Sequence, residues 1–343
     1  GEVVVRQGDK LARHLINVRK PVLFIPNLAI HLETDKESGF KPNLEREMRP
    51  ILESYAAAGL LAPAPKPVEP SSTADARDIS KEHHSQLLDI VCNAIGGGVA
   101  PKDLVDLDLY LYDTNPAAIT GAQDEFISGA RLDNLVGTYT AIGGLLESLA
   151  GDNAAAFTAD GNVRLAACFD NEEVGSQTAM GAQSAFTEYV LRKLSVGGSA
   201  TAFEEAIGKS MLISADQAHA CHPNYAGKHE ENHKPAFHGG VVVKVNVNQR
   251  YATTSTTHSV LKQVASEAGV PLQKMIVPNG SPCGSTVGPI LAAKLGLQTV
   301  DVGCPQLAMH SIREFGDTSS IYQATRLYST FYARLPNILQ QLY

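Results

Sequence analysis

The sequence of 343 residues predicts an α/β fold, in which a mostly parallel sheet is covered by helices on both faces. The main observation is that apolar runs with strand character alternate with segments of helical periodicity from about Tyr110 onward. A second observation is the different character of the preceding region, where strand-like runs flank a Pro-rich stretch at 62–70. We therefore expect two domains, at 1–109 and 110–343.

The individual elements follow from the apolar runs and their periods, taken in chain order. In the first region, strands are predicted at 3–5 and 22–25. In the second region, strands are predicted at 163–169, 211–214, 241–245, 275–277 and 299–302. Helices are predicted in the same region at 135–149, 182–194, 255–268 and 287–295.

Composition argues against two classes of partner. The 28 basic and 36 acidic residues give a net charge of −8, which argues against nucleic acid. No apolar run reaches the length of a membrane span, so no membrane partner is expected, and no secretory signal opens the sequence. An odd number of scattered cysteines predicts reduced thiols in a cytoplasmic protein; they are Cys92, Cys168, Cys221, Cys283 and Cys304.

The dipeptide Glu172-Glu173 carries the strongest chemical signal. It follows the run 163–169, which is predicted as a buried strand, and two carboxylates there are costly to desolvate unless a positive group lies between them. Adjacent side chains of a strand point to opposite sides, so one carboxylate can bind a metal ion while the other faces a reacting water. The pair therefore predicts a metal ligand beside a general base, and the alternative is a solvated surface pair.

Three further residues extend this set. Asp133 precedes the helical segment 135–149 and can be either an N-cap or a metal ligand. Asp216 ends an apolar run, and His310 follows another and can be a ligand or an ordinary half-buried histidine. Together with Glu173 they form an oxygen-rich set with one imidazole, which suits zinc, manganese or cobalt.

Short motifs lie along nearly the whole chain, at 25–32, 124–126, 131–134, 170–176, 214–216, 222–225, 228–233, 244–246, 249–251, 282–289 and 306–314. Any one of these motifs is a weak signal, but together and in this order they are a strong one. The set is similar to that of the aspartyl aminopeptidases, a dinuclear-zinc family that also contains yeast vacuolar aminopeptidase I.

The resemblance implies a role for each candidate residue. Asp133 would bridge two divalent metal ions, zinc by preference with cobalt or manganese as alternatives. Glu173 and His310 would complete one metal site, Asp216 would bind the other ion, and Glu172 would be the general base. The family takes a further ligand from a His-Thr-Asp segment, and no His-x-Asp occurs here. We therefore expect either that the sequence begins inside a longer protein or that it is a degenerate relative with one metal site.

The resemblance also implies the substrate, a peptide with an acidic N-terminal residue. Lys244 would pair with the acidic side chain, and Tyr251 and Met309 would complete the substrate-binding residues. Without the resemblance, Lys244 at the end of the apolar run 241–243 is typical of a surface lysine whose apolar stem is buried.

The family further implies a zinc-exopeptidase fold, with 110–343 as the catalytic domain and 1–109 as a β-rich dimerisation domain. His31 would then reach the active site of a neighbouring subunit, in a homo-oligomer whose dimers assemble into a dodecamer. The alternative for His31 is a strand-end histidine used within its own domain. Two other functions stay open: a dinuclear aminopeptidase of different specificity, and a catalytically dead relative that acts as a scaffold.

One motif is rejected as a zinc site. The segment His229-Glu230-Glu231-Asn232-His233 matches the His-Glu-x-x-His pattern, which works only on a helix. Prolines and glycines on both sides, together with the lack of an apolar stripe, predict an irregular loop instead.

Overall fold

The computed structural model describes residues 1–33, 39, 41–54, 79–150, 157–158 and 160–342. The chain divides into two compact units, Gly1–Asn115 and Pro116–Tyr343. The division falls slightly later than the boundary predicted after Leu109. The Pro-rich stretch 62–70 lies outside the described residues.

In its described residues, the first unit contains a three-stranded sheet packed against an α-helix. Its elements are β1 Glu2–Gln7, β2 Lys10–Leu15, α1 Ser85–Ile95 and β3 Leu104–Asp108. The strand order is β2-β1-β3, and both ladders are antiparallel. Alternate residues of β1, Val3 and Val5, are fully buried and form a core with Leu88 and Val91 of α1, as the period of a strand requires.

The strand predicted at 22–25 is wrong. Phe24 makes a single β-bridge to Ile51, and this part of the chain forms no ladder among the described residues. The physical reason is in the flanking sequence, because Pro21 and Pro26 lack the N–H groups that a ladder needs.

The second unit contains the remaining elements. The strands are β4 Ala118–Thr120, β5 Phe126–Gly129, β6 Met211–Ala215, β7 Ala218–His219, β8 Val241–Val245, β9 Leu272–Ile276, β10 Gln298–Gly303, β11 Pro305–Leu307 and β12 Glu314–Asp317. The helices are α2 Leu132–Ser148, α3 Phe186–Leu194, α4 Ala202–Gly208, α5 Ser255–Ala268, α6 Val287–Leu295 and α7 Thr318–Leu342.

Two sheets organise this unit. The four-stranded sheet has the order β6-β10-β8-β9, in which β6/β10 and β8/β9 pair in parallel and β10/β8 pair antiparallel. The five-stranded sheet has the order β4-β5-β12-β11-β7 and is antiparallel except for the β11/β7 pair. The predicted α/β class is confirmed, with a second and mostly antiparallel sheet that the sequence pattern did not indicate.

Helices cover both faces of the four-stranded sheet, as predicted. Val300 of β10 packs in the main core with Leu261 of α5 and Leu327 of α7. The next residue, Asp301, points to the opposite face, where a Cβ on Gly288 of α6 would lie 2.4 Å from its carboxylate. Alternate residues of β10 therefore contact different helix layers.

The strand predicted at 163–169 is also wrong. Within the described part of the chain it belongs to no ladder, and Val163 is 66% exposed. Side chains anchor the segment instead, because Arg164 donates to the Ser148 carbonyl and to Asp160. An apolar run predicts burial, but a strand also needs a neighbouring backbone that supplies hydrogen bonds.

The other predicted elements are found, with small changes in their bounds. The helix predicted at 182–194 begins only at Phe186, whose N–H is capped by the Ser184 hydroxyl. The strand predicted at 275–277 is the end of β9. No helix among the described residues is both long enough and apolar enough to cross a bilayer.

Candidate metal centre

Asp133, Glu173 and His310 converge at one place in the second unit. The Nε2 atom of His310 lies 3.3 Å from Asp133 Oδ2 and 3.2 Å from Glu173 Oε2. The three residues offer ligand atoms that all lie within 4.8 Å of one another. Two carboxylate oxygens and one imidazole nitrogen at this spacing can bind one divalent cation.

The sheet places Asp216 and His310 at the same edge. Strands β6 and β10 are parallel, Asp216 follows the end of β6, and His310 follows β11, which continues from β10. Ligand sites lie at the carboxyl ends of such strands. Gly303 at the end of β10 permits the close approach, because a Cβ there would lie 1.8 Å from the Asp216 carbonyl oxygen.

Asp133 is held at this edge by its neighbour in the chain. Asn134 donates from Nδ2 to the Ala215 carbonyl at 2.7 Å, and its Oδ1 accepts from the Gly137 N–H at 3.1 Å. Ala215 is the last residue of β6 and precedes Asp216. The start of α2 is thus joined to the end of β6, and this contact brings the two aspartates together.

Glu172 and Glu173 lie in a short 3₁₀ turn, Glu172–Val174, and not at a strand end. Asn171, which precedes the turn, has a φ of +58°. The prediction that Glu172 and Glu173 end a strand and therefore point to opposite sides is wrong. The turn nevertheless gives the two side chains different surroundings. Glu173 is mostly exposed and contacts His310, whereas Glu172 is half-buried.

The carboxylates of the site strongly perturb one another. Burial, followed by a hydrogen bond and charge repulsion from Asp216 and repulsion from Glu173, raises the pKa of Asp133 to about 9. Burial also raises the pKa of Asp216, but the Lys244 ammonium and the hydrogen bond with Asp133 outweigh it and hold that pKa below its usual value. Without a cation, burial and mutual repulsion therefore favour a protonated Asp133 beside an ionised Asp216.

Glu172 is tuned toward proton transfer at neutral pH. Burial, together with the negative charges of Asp216 and Glu173, raises its pKa to about 7, while Lys244 and His310 act in the opposite direction. A carboxyl with a pKa near the working pH can both accept and return a proton.

The residues fit a divalent cation on two counts. The buried Oδ1 of Asp133 has no hydrogen-bond partner within the described residues, which is unusual for a carboxylate oxygen. Burial is the main cause of the raised pKa of Asp133, and the nearby negative charges that add to it are the charges that a dication neutralises. Among the described residues, Asp216 belongs to no group of three possible ligands, so a second ion beside it would need further ligands.

Lys244 is a buried cation beside this site. It is 1% exposed, so the alternative of a surface lysine is wrong. Its Nζ lies 3.3 Å from Asp216 Oδ2, donates to the Gln217 carbonyl at 3.1 Å, and lies 5.0 Å from the centroid of the Tyr251 ring. The ammonium thus lies between the Asp216 carboxylate and the Tyr251 ring.

Tyr251 also lines a cavity of about 400 Å³. Its lining combines apolar and polar side chains, among them His219, Tyr251, Met275, Cys283 and Gln306. Desolvation, followed by the charge of Lys244, lowers the pKa of His219, which favours a neutral imidazole. Met309 does not line the cavity and lies half-buried between Ala308 and His310.

A family profile described as Aminopeptidase I zinc metalloprotease (M18) matches residues 1–332. The chain belongs to this family. The resemblance inferred from the sequence motifs is therefore confirmed, and zinc is the metal that the family description names.

Relatives within the M18 family are close. The aspartyl aminopeptidase of Caenorhabditis elegans is 72% identical over 342 residues, which cover 100% of this chain and 71% of that protein. The aspartyl aminopeptidase of Aspergillus oryzae is 40% identical, and the match covers 100% of this chain and 73% of that protein.

Solved M18 structures have the same fold. The cryo-EM structure of the Ape4 and Nbr1 complex matches with a TM-score of 0.89 at 37% identity, over 100% of this chain and 64% of that chain. The structure of the S. cerevisiae mApe1 dodecamer matches with a TM-score of 0.73 at 22% identity, over 100% of this chain and 70% of that chain, and shows the fold alone.

His31, the residue that the family resemblance assigns to the active site of a neighbouring subunit, lies in the first unit. It is an exposed residue of a turn, and its neighbours Ile30 and Leu32 are also exposed, at 66% and 67%. The alternative of a strand-end histidine does not fit this turn.

The segment 229–233 does not form the helix that a His-Glu-x-x-His zinc site needs. It forms turns, and His233 pairs through Nδ1 with Glu230 within the segment. His229 lines the cavity instead, where desolvation lowers its pKa. The rejection of the His-Glu-x-x-His pattern is confirmed.

Glu314 is a site residue that sequence reasoning missed. Its carboxylate is 2% exposed and accepts hydrogen bonds from the backbone N–H groups of Asp133 and His310. Local sequence gave no signal of this role, because the Asp133 N–H comes from a distant segment of the chain.

Proposed function

We propose that this protein is a metalloaminopeptidase that releases N-terminal Asp or Glu from peptides. The observation that carries the proposal is the convergence of Asp133, Glu173 and His310, with ligand atoms within 4.8 Å of one another, beside the ion pair of half-buried Asp216 and buried Lys244. The names of the relatives, aspartyl aminopeptidases, support the same reaction.

Asp133, Glu173, Asp216 and His310 are the residues that would hold two divalent ions, with zinc first and cobalt or manganese as alternatives. When bound, such ions supply a water whose pKa falls from 15.7 to about 7, a Lewis acid for the scissile carbonyl, and an anchor for the substrate. The donor set of carboxylates with one imidazole suits this chemistry.

Glu172 is the candidate general base. It lies beside the ligand Glu173, yet its own side chain is half-buried and its pKa is about 7. We assign to it the removal of a proton from the attacking water and the return of that proton to the leaving amine. A carboxylate in this role contributes about 10²–10⁴ to the rate.

Lys244 is the candidate specificity residue. Its ammonium is buried, and one of its partners, Asp216, is itself a candidate metal ligand. An Asp216 whose charge is shared with a cation leaves Lys244 able to bind an acidic substrate side chain. Tyr251, which lies under the ammonium and lines the cavity, and Met309, next to His310, are the other candidate substrate contacts.

We also propose that the protein is a homo-oligomer, and we extend to it the dodecameric assembly of the mApe1 structure. Support comes from the exposed apolar residues around His31, which are Phe24, Leu28, Ile30 and Leu32. Such a cluster is typical of a surface that a partner covers. His31 would then act in the active site of the adjacent subunit.

A cytoplasmic location is part of the proposal. All five cysteines are free thiols, which is the usual state in a reducing compartment.

The test is hydrolysis of matched peptides by zinc-loaded protein. We expect release of N-terminal Asp and Glu and at most weak release of Leu or Ala, and we expect Glu172→Gln to remove the activity while zinc stays bound. Equal release of Leu and Asp would instead identify an aminopeptidase of other specificity. Zinc binding without any hydrolysis would identify a catalytically dead relative.

A further inference from the structure

Two of the candidate metal ligands share one hydrogen-bond acceptor. Glu314 Oε2 accepts from the Asp133 N–H at 2.8 Å, and Glu314 Oε1 accepts from the His310 N–H at 2.7 Å. The carboxylate is 2% exposed, so water does not compete for either bond. We propose that Glu314 is a positioning residue that sets the spacing of Asp133 and His310 for the metal, an inference that rests on the proposed function.

The topology explains why this residue can reach both ligands. Strand β12 lies between β5 and β11 in the five-stranded sheet, and Glu314 is its first residue. Glu314 is opposite Gly129 at the end of β5, from which the chain continues to Asp133. On the other side, β11 leads into the loop that carries His310. The middle strand therefore supports both ligand-bearing segments from a rigid element.

The backbone around the ligands needs such support. His310 has a φ of +62°, Ala308 a φ of +55°, and Arg131, at the start of α2, a φ of +59°. Residues with side chains seldom adopt these conformations, and they persist where the surrounding structure fixes them. Glu314 binds the N–H of His310 itself and the N–H two residues after Arg131.

A carboxylate is suited to this position because both of its oxygens accept hydrogen bonds. A glutamine of the same shape would present one oxygen and one NH₂ group. The NH₂ group would face a backbone N–H, so one buried donor would lose its partner. Groups that orient metal ligands in this way typically change metal affinity by about 10–100-fold when they are replaced.

The experiment measures the zinc Kd by competition with a chelator, and in parallel the Tm of the metal-free protein. The variants are Glu314→Gln and, as a matched control, Asp317→Asn. Asp317 lies on the same strand, is also 2% exposed, and accepts from the Ser320 N–H and hydroxyl, but it contacts no candidate ligand. Both variants remove one buried carboxylate, so a purely structural role predicts similar behaviour.

We expect E314Q to raise the zinc Kd by about 10–100-fold, while D317N lowers the Tm of the metal-free protein and keeps the original Kd. An unchanged Kd in E314Q, or an equal rise in D317N, would overturn the inference. Should E314Q not fold, Glu314→Asp keeps the charge but is too short to reach both N–H groups, and the same rise in Kd is expected. Failure of the unaltered protein to bind zinc would instead refute the proposed function.

Discussion

The inner and outer halves of the candidate metal centre are built differently. The inner half, Asp133 and Asp216, lies at the sheet edge beside the buried Lys244, and the Asp133 side chain is 6% exposed. The outer half, Glu173 and His310, lies on turns with 54% and 65% of the side chains exposed. The sheet edge therefore holds in place the two carboxylates that attract a cation. The turns leave the other side of the site open to substrate.

The largest expected effect is on the inner half. Asp133→Asn removes the ligand that faces both Asp216 and His310. We expect its zinc Kd to rise more than the roughly 100-fold that is typical when a residue that only supports a ligand is replaced. Peptidase activity should be lost. Glu173→Gln is the matched variant in the exposed half and should raise the Kd less. Equal effects on zinc Kd, measured by chelator competition, would remove the distinction between the halves.

The next prediction separates two adjacent glutamates. Glu172→Gln should lower kcat for an Asp-peptide by about 10²–10⁴, because the general base is lost, and should keep the zinc content of the unaltered protein. Glu173→Gln should lower the zinc content at a limiting zinc concentration. Metal analysis together with steady-state kinetics checks both. Loss of zinc in E172Q would show that Glu172 is a ligand and not the base.

Replacing Lys244, which lies beside the inner half, tests whether this residue recognises the acidic side chain of the substrate. Leaving one partner of a buried ion pair without the other costs roughly 3–5 kcal/mol, and about 1.4 kcal/mol corresponds to a factor of ten. We therefore expect Lys244→Met to lower kcat/KM for an Asp-peptide about 100- to 4,000-fold more than for a Leu-peptide.

The control for that variant is Lys274→Met, a lysine on the neighbouring strand β9 that is half-buried outside the site. It should keep the ratio of the two kcat/KM values. A fall of equal size for both peptides in K244M would mean that Lys244 supports the fold or Asp216 and does not recognise the acidic side chain.

The smallest expected effect is a proton release. The pKa of Asp133 is raised to about 9, so in the metal-free protein at pH 7.5 its carboxyl is protonated. A ligand must be deprotonated, and zinc binding should release about one proton and strengthen about tenfold per pH unit between pH 7 and 9. Calorimetry in two buffers of different ionisation enthalpy measures this release. A zinc Kd independent of pH in that window would contradict it.

Helix bounds could be predicted well where the sequence contains its own end signals. Helices α5 and α6 have the predicted bounds, because Thr254 and Thr286 cap their first turns. Gly269 and Gly296 end them in the left-handed conformation. The failed strand at 163–169 shows the limit, because pairing depends on a neighbouring backbone that no local pattern specifies.

The residue types of the metal site could be predicted from the sequence. The residues that hold the ligands in place could not. Acidic residues and a histidine beside apolar runs indicated a metal, and the structure brings Asp133, Glu173 and His310 together. Glu314 gave no local signal of its role, since one of the two backbone N–H groups that it binds belongs to Asp133, 181 residues earlier in the chain. The environment of Lys244 was likewise set by tertiary structure, because its partner Asp216 comes from another strand end.

The central claim is that this acidic cluster is a zinc-binding catalytic site. The most direct test is a crystal structure of zinc-loaded protein with anomalous diffraction at the zinc edge. We predict an anomalous peak within about 2.0–2.2 Å of a carboxylate oxygen of Asp133, a carboxylate oxygen of Glu173 and a ring nitrogen of His310. Zinc bound elsewhere, or no peak at these three side chains in zinc-saturated crystals, would contradict the claim.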